Sequence, residues 1–240
     1  MHPRRWVKHS EDFQGQFMPR ILHHTPLHPF CRKIRVQLKE KGIECQLNEV
    51  KPWERPIELL TLNPSGDVPV LEEASGTVVA GHGPVSEYIE EVYTERPLLG
   101  RTPVERSEIR RLADWFDHKF FEEVTRHLLM EKYFKRLAGG GGPESLSIRA
   151  GKANILYHLD YIAFLTQRRV WLAGDQLTLA DISAAAQLSS LDYFGDVPWE
   201  HSKEAKEWYA LIKSRPAFRQ ILADYVPGVR PPEHYNNLDF

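Results

Sequence analysis

Short apolar runs and longer stretches of helical spacing occupy different parts of this chain. Arg20-Ile21-Leu22-His23-His24 is a run with an apolar centre that ends at Thr25-Pro26-Leu27-His28-Pro29, and it predicts a strand followed by a loop. From Phe30, the residues Ile34, Leu38 and Lys41 recur at helical intervals until Gly42, so a helix is expected there. Residues 45–50 predict a second strand, and residues 51–56 a loop that holds Trp53 between prolines. A short helix over 57–62 leads to a hairpin, in which 70–72 pairs with 77–80 across Ser75-Gly76, and then to a helix over 85–92. The order βαβαββα describes a small mixed sheet with helices, in thioredoxin-like sequence.

Beyond residue 104 the pattern is helical throughout. Residues 105–136 carry Ile109, Leu112, Trp115, Phe116, Phe120, Val124 and Leu128 as one amphipathic stripe. The glycine run 139–142 separates this stripe from a helix over 148–167 with Ile155, Leu159, Ile162 and Leu165 inward. Residues 177–191 are apolar enough to form a central buried helix, and 204–214 and 216–223 supply two more. The fold class is therefore an α/β, thioredoxin-like N-terminal domain (19–97) followed by an all-α C-terminal domain (105–225). Residues 98–104 are the linker and 226–240 a proline-rich tail. Residues 1–18 are expected to be a loosely ordered extension, and Met18, just before the first strand, is a candidate start.

Composition narrows the function classes. The 240 residues carry 31 basic and 33 acidic side chains, a balance that supports neither a nucleic-acid footprint nor a polybasic membrane anchor. No apolar run is long enough to span a bilayer, and the N-terminal segment lacks the apolar centre of a secretory signal. Two cysteines, Cys31 and Cys45, cannot make a disulfide framework, which favours a reducing, cytoplasmic setting.

Three motifs in order resemble the glutathione-transferase family across roughly residues 19–225. Asn63-Pro64-x-Gly66-x-Val68-Pro69-x-Leu71 is similar to the family's NPxGxVPxL, which implies a cis peptide before Pro69 and a Val68 backbone free to pair with the cysteinyl part of glutathione. Pro29-Phe30-Cys31-Arg32-Lys33-Ile34-Arg35 is similar to the opening of the family's first helix. In Gly174-Asp175-Gln176-Leu177-Thr178-Leu179-Ala180-Asp181, Thr178 caps the central helix and Asp181 returns a bond to the cap amide.

Departures from the family pattern carry the functional argument. Family enzymes place Ser, Tyr or Cys near the first helix N-terminus to stabilise or replace the glutathione thiolate. Here the slot before Pro29 holds His28; Thr25 lies three residues earlier, and Cys31 lies too far into the helix and is expected to be a buried structural thiol. The pair that anchors the γ-glutamyl end, Glu or Gln followed by Ser, is replaced by Gly81-His82. Losing a charge-assisted bond of about 1.5–3 kcal/mol weakens binding roughly tenfold or more. Thr25, His28, Cys31, Val68, Pro69, Gly81 and His82 thus form a vestigial glutathione site, with no catalytic residue and no cofactor expected.

Other candidates have plainer explanations. His23, His24, His28 and Cys31 lie close in sequence, but adjacent strand residues face opposite ways, so no metal site is expected. The glycine run lacks a following Lys-Ser/Thr and is a linker. Trp115, Phe116, Phe120 and Phe121 are assigned to core and subunit contact. Trp53 either packs back onto its domain or anchors a partner; the tail, ending in Leu238, Asp239 and Phe240, is either a strap or a peptide for a partner's groove.

Taken with His28, Gly81-His82, Trp53 and the tail, the chain resembles a cell-division branch of the family that binds FtsZ. That resemblance implies a cytoplasmic homodimer, recruited to the division site, which binds FtsZ filaments without glutathione activity. The alternative is an atypical glutathione-dependent transferase or isomerase with Thr25 or His28 as donor and Asp67 or Glu87 as replacement acid. A small-molecule binding module that reuses the cleft is a third reading.

Overall fold

The computed structural model describes residues 19–238. The N-terminal half runs β1 (Ile21–His24), α1 (Pro29–Glu40), β2 (Gln46–Glu49), α2 (Ile57–Leu62), β3 (Val70–Glu72), β4 (Val78–Ala80) and α3 (His82–Val92). The sheet order is β2-β1-β3-β4, with β1 and β2 parallel and the other neighbours antiparallel. Adjacent residues on β3 serve opposite faces, as the pleat requires. Leu71 pairs with Leu22 and packs with Ile34, Val85 and Ile89, while Val70 packs with Leu59 and Cys31.

The all-α half begins with α4, which winds over Pro103–Asp114, widens over Trp115–Phe134 and ends in Lys135–Leu137. At its end the Lys135 N–H reaches Met130 O, five residues back. Then follow α5 (Ser145–Thr166), α6 (Leu179–Asp192), α7 (Lys203–Lys213) and α8 (Pro216–Leu222). Every residue of α6 is buried, and α6 is the axis around which α1, α4 and α7 pack. Asp181 locks its start: Oδ2 accepts from the Thr178 amide (2.9 Å) and hydroxyl (3.0 Å), and Oδ1 from the Leu172 amide (2.8 Å) and Trp208 Nε1 (3.1 Å).

Some element bounds differ from the sequence expectation for local reasons. α3 starts at His82 because Gly81, at φ 90°, turns the chain into it. α4 starts at Pro103 because Thr102 and Glu105 form a reciprocal capping box with proline in the first turn. The segment between the halves is tied down: the Leu98 amide donates to Glu90 Oε2 (2.9 Å), and its carbonyl accepts from the Leu179 amide (3.0 Å).

The halves are docked by cations on α1. Arg32 is fully buried and donates to Ser189 Oγ (3.0 Å), Ile221 O (2.9 Å) and Asp224 Oδ2 (3.2 Å). Arg35 donates to both oxygens of Asp224 (2.9 Å each), and Lys33 pairs with Asp117. Three buried cations on one helix are tolerable only because carboxylates and carbonyls of the other half meet them.

After α8 the tail is a strap. The Tyr193 hydroxyl donates to Val229 O (3.0 Å), Lys213 Nζ to His234 O (2.6 Å), and His234 Nε2 lies 2.8 Å from Asp192 Oδ1. Tyr235 is fully buried, and Leu238 packs against the helical core. Asp239 and Phe240 lie outside the described residues, as does the 1–18 extension.

Candidate functional site

A cleft between the halves collects most of the candidate residues. Its floor is the turn from β1 into α1. The Thr25 hydroxyl donates to Val50 O at 2.6 Å, so its proton is used within the domain. The Thr25 amide points at Cys31 Sγ (3.5 Å); that thiol is fully buried, and desolvation pushes its pKa up to about 12. His28 sits with its ring 5.6 Å from both Phe30 and Phe134, and its buried Nδ1 has no partner. Burial lowers its pKa to about 4, so it is a neutral imidazole at neutral pH.

The opposite wall carries the cis Val68–Pro69 peptide and the start of α3. Pro69 O accepts from the Gly81 amide (3.0 Å), and no side chain caps α3. His82 stacks on Phe30 at 3.8 Å and 9°, and burial lowers its pKa to about 4 as well. The loop before Val68 is held by Asn63 Nδ2 donating to Asp67 O (2.9 Å). Asp67 faces the cleft, whereas Glu87 is held by Arg110 in a two-point pair (2.7 and 2.9 Å).

Two connected compartments result. The smaller, about 390 Å³, lies among His28, Phe30, Asp67, Val68, Gly81 and His82. The larger, about 450 Å³, shares His28, Asp67 and Val68 and is closed by Trp53, Met130 and Phe134. Trp53 stands on a single 3₁₀ turn, Pro52–Glu54, half-buried, with its ring 6.1 Å from that of Phe134. Its packing therefore crosses to the other half of the molecule.

Thr25, His28, Trp53, Val68, Gly81 and His82 are thus brought together. Cys31 lies behind the floor, packed with Leu59 and Val70. Thr178 and Asp181 belong to the start of α6, and Leu238 lines a separate groove with Trp208 and Leu211. Among the described residues no group of three His, Cys, Asp or Glu side chains is arranged to hold a metal. His23 instead meets Asn48 (3.0 Å) and Glu72 (3.4 Å).

Phe134 is a wall residue that the sequence pattern did not single out, and Phe30 stands there only as part of the first-helix motif. Phe121 was assigned to core and subunit contact, yet its ring lies 4.8 Å from Phe30 and lines the cleft. The assembled surface is largely aromatic, with two neutral imidazoles, the carboxylates of Asp67 and Glu131, and the Ser65 hydroxyl, whose oxygen accepts from the Asp67 amide (3.3 Å). Its two cations are paired, Arg126 with Glu122 and Lys135 with Glu131.

This architecture defines a class. Residues 29–92 match the family described as Glutathione S-transferase, N-terminal domain, and the chain belongs to the glutathione S-transferase family. It is 50% identical over 224 residues to FtsZ-localized protein A of Caulobacter vibrioides, covering 92% of this chain and 98% of that protein. A solved structure described as FzlA from C. crescentus superposes with a TM-score of 0.89 at 50% identity, over 93% of this chain and 100% of that one. A structure described as a glutathione S-transferase from Rhodospirillum rubrum matches with TM-score 0.90 at 52% identity, over 92% and 100% of the two chains.

Proposed function

We propose that this protein is a non-catalytic glutathione-transferase-like protein that binds FtsZ filaments as a dimer and supports cell division and constriction. The observation that carries the reading is the 50% identity to FtsZ-localized protein A over nearly the whole of both chains. The cleft supports it from the chemical side. Thr25 spends its proton on Val50, the Cys31 thiol is held protonated, and Gly81-His82 supplies no acid for a γ-glutamyl ammonium. On this reading the protein works in the cytoplasm at the division site and uses no cofactor.

A two-fold dimer presents one filament-binding patch twice, so weak sites crosslink a polymer through avidity. Trp53, half-exposed at the cleft rim, is the proposed anchor. Co-sedimentation with polymerised FtsZ tests the idea: the protein pellets with filaments and bundles them. Trp53→Ala weakens pelleting by about 30-fold, the value of a 2 kcal/mol hot spot. Absence of pelleting by the wild-type protein removes the proposal.

One observation favours a second reading, an atypical glutathione-dependent transferase or isomerase. Asp67 stands beside Val68 on the wall of both compartments, where a carboxylate can meet an ammonium group. His28, which lines both compartments, would then be the donor to the thiol.

A further inference from the structure

Six rings in unbroken contact run along the two compartments of the cleft. Trp53 meets Phe134 at 6.1 Å between centroids, Phe134 meets His28 at 5.6 Å, and His28 meets Phe30 at 5.6 Å. Phe30 in turn carries His82 in a parallel stack at 3.8 Å and touches Phe121 at 4.8 Å. Burial lowers the pKa of both imidazoles to about 4, so at neutral pH they add ring surface and no charge.

The charge on this surface has one sign. In the smaller compartment Asp67 is the only lining residue with an acidic or basic side chain besides the two neutral histidines. In the larger compartment Asp67 recurs with Glu131, Arg126 and Lys135. There Lys135 is paired with Glu131, and Arg126 with Glu122, which lies outside the lining. One carboxylate is left over.

That carboxylate is presented from a fixed loop. Asp67 is held through its backbone: its amide donates to Ser65 Oγ (3.3 Å), and its carbonyl accepts from Asn63 Nδ2 (2.9 Å). Its side chain makes no hydrogen bond or ion pair among the described residues. The face of an aromatic ring carries negative potential and attracts a cation, as a carboxylate does, and both repel an anion. Compartments of about 390 and 450 Å³ are of a size for small organic ligands.

We propose that the cleft binds a small organic cation, its ammonium group set between Asp67 and the Phe30–Phe121 ring pair and its apolar body directed past Phe134 towards Trp53. This charge preference is opposite to that of a thiolate-binding site, and it does not depend on filament binding.

Calorimetric titration of the full chain with benzyltrimethylammonium at low ionic strength tests this, with benzyl alcohol as the neutral counterpart and benzoate as the anionic one. The cation should bind saturably and at least about tenfold more tightly than either counterpart. Asp67→Asn, which keeps both backbone bonds, should bind the cation about tenfold more weakly with its melting temperature unchanged. Phe121→Leu, which removes a ring face and keeps an apolar side chain, should bind it about fivefold more weakly. Failure of the cation to bind, binding of either counterpart as tightly, or unchanged affinity in either variant overturns the proposal.

Discussion

The N-termini of α6 and α3 are both family motif positions, and their fates differ. At α6, Thr178 and Asp181 are present, and the carboxylate accepts four bonds from buried donors. At α3, the turn survives through Gly81 and its amide bond to Pro69, but the side chains that would hold a ligand are absent. One motif serves the fold; the other, on the proposed reading, holds no ligand. Backbone geometry of the family type is present at both, while the motif side chains are present only at α6.

That contrast is broken most severely at Asp181. Asp181→Ala leaves four donors without their acceptor, and equilibrium urea unfolding should show a loss of about 3–5 kcal/mol. A loss no larger than that of a surface substitution would mean that the α6 lock is not structural.

Acid comes next. His24 and His158 have almost no exposed surface, and burial lowers each pKa from 6.5 to about 4. The unfolded chain takes up these protons near its ordinary value while the folded chain resists them. Their stabilising effect is therefore full above pH 6.5 and is lost as pH falls from 6.5 towards 4. Unfolding near pH 5 should show roughly 2 kcal/mol less stability per histidine than near neutrality. His158→Gln should remove the share of that dependence due to His158 and leave those of His24, His28 and His82.

The smallest effect sharpens the comparison from the other side. Gly81→Glu/His82→Ser returns an acid and a hydroxyl to the start of α3. Glutathione binding, expected to give no heat with the unaltered protein up to millimolar ligand, should become measurable by calorimetry in this variant. The φ of 90° at position 81 will cost the double variant about 1 kcal/mol in stability.

Much of the frame was legible because it follows from periodicity. The hairpin of 70–72 with 77–80 and the apolar density of residues 177–191 needed no distant information to be interpreted. The cations of α1 were not legible in this way. In the sequence Arg32, Lys33 and Arg35 stand only as part of the first-helix motif, and only Asp117 and Asp224, far along the chain, make their burial intelligible. The cleft was legible at its departures, His28 and Gly81-His82, since a missing acid is visible without coordinates. Its walls were not: Phe121 and Phe134 acquire their role only when α4 crosses the turn after β1. The use of the Thr25 hydroxyl likewise depended on Val50, which lies across the strand pairing.

The central claim is that a glutathione-transferase cleft has kept its shape and lost its ligand chemistry. Calorimetric titration of the purified protein with glutathione, carried to millimolar concentration beside an active transferase, tests it most directly. The account predicts no binding heat from this protein under conditions where the transferase binds normally. Saturable binding at micromolar affinity would contradict it and make the Asp67-based enzyme the better description.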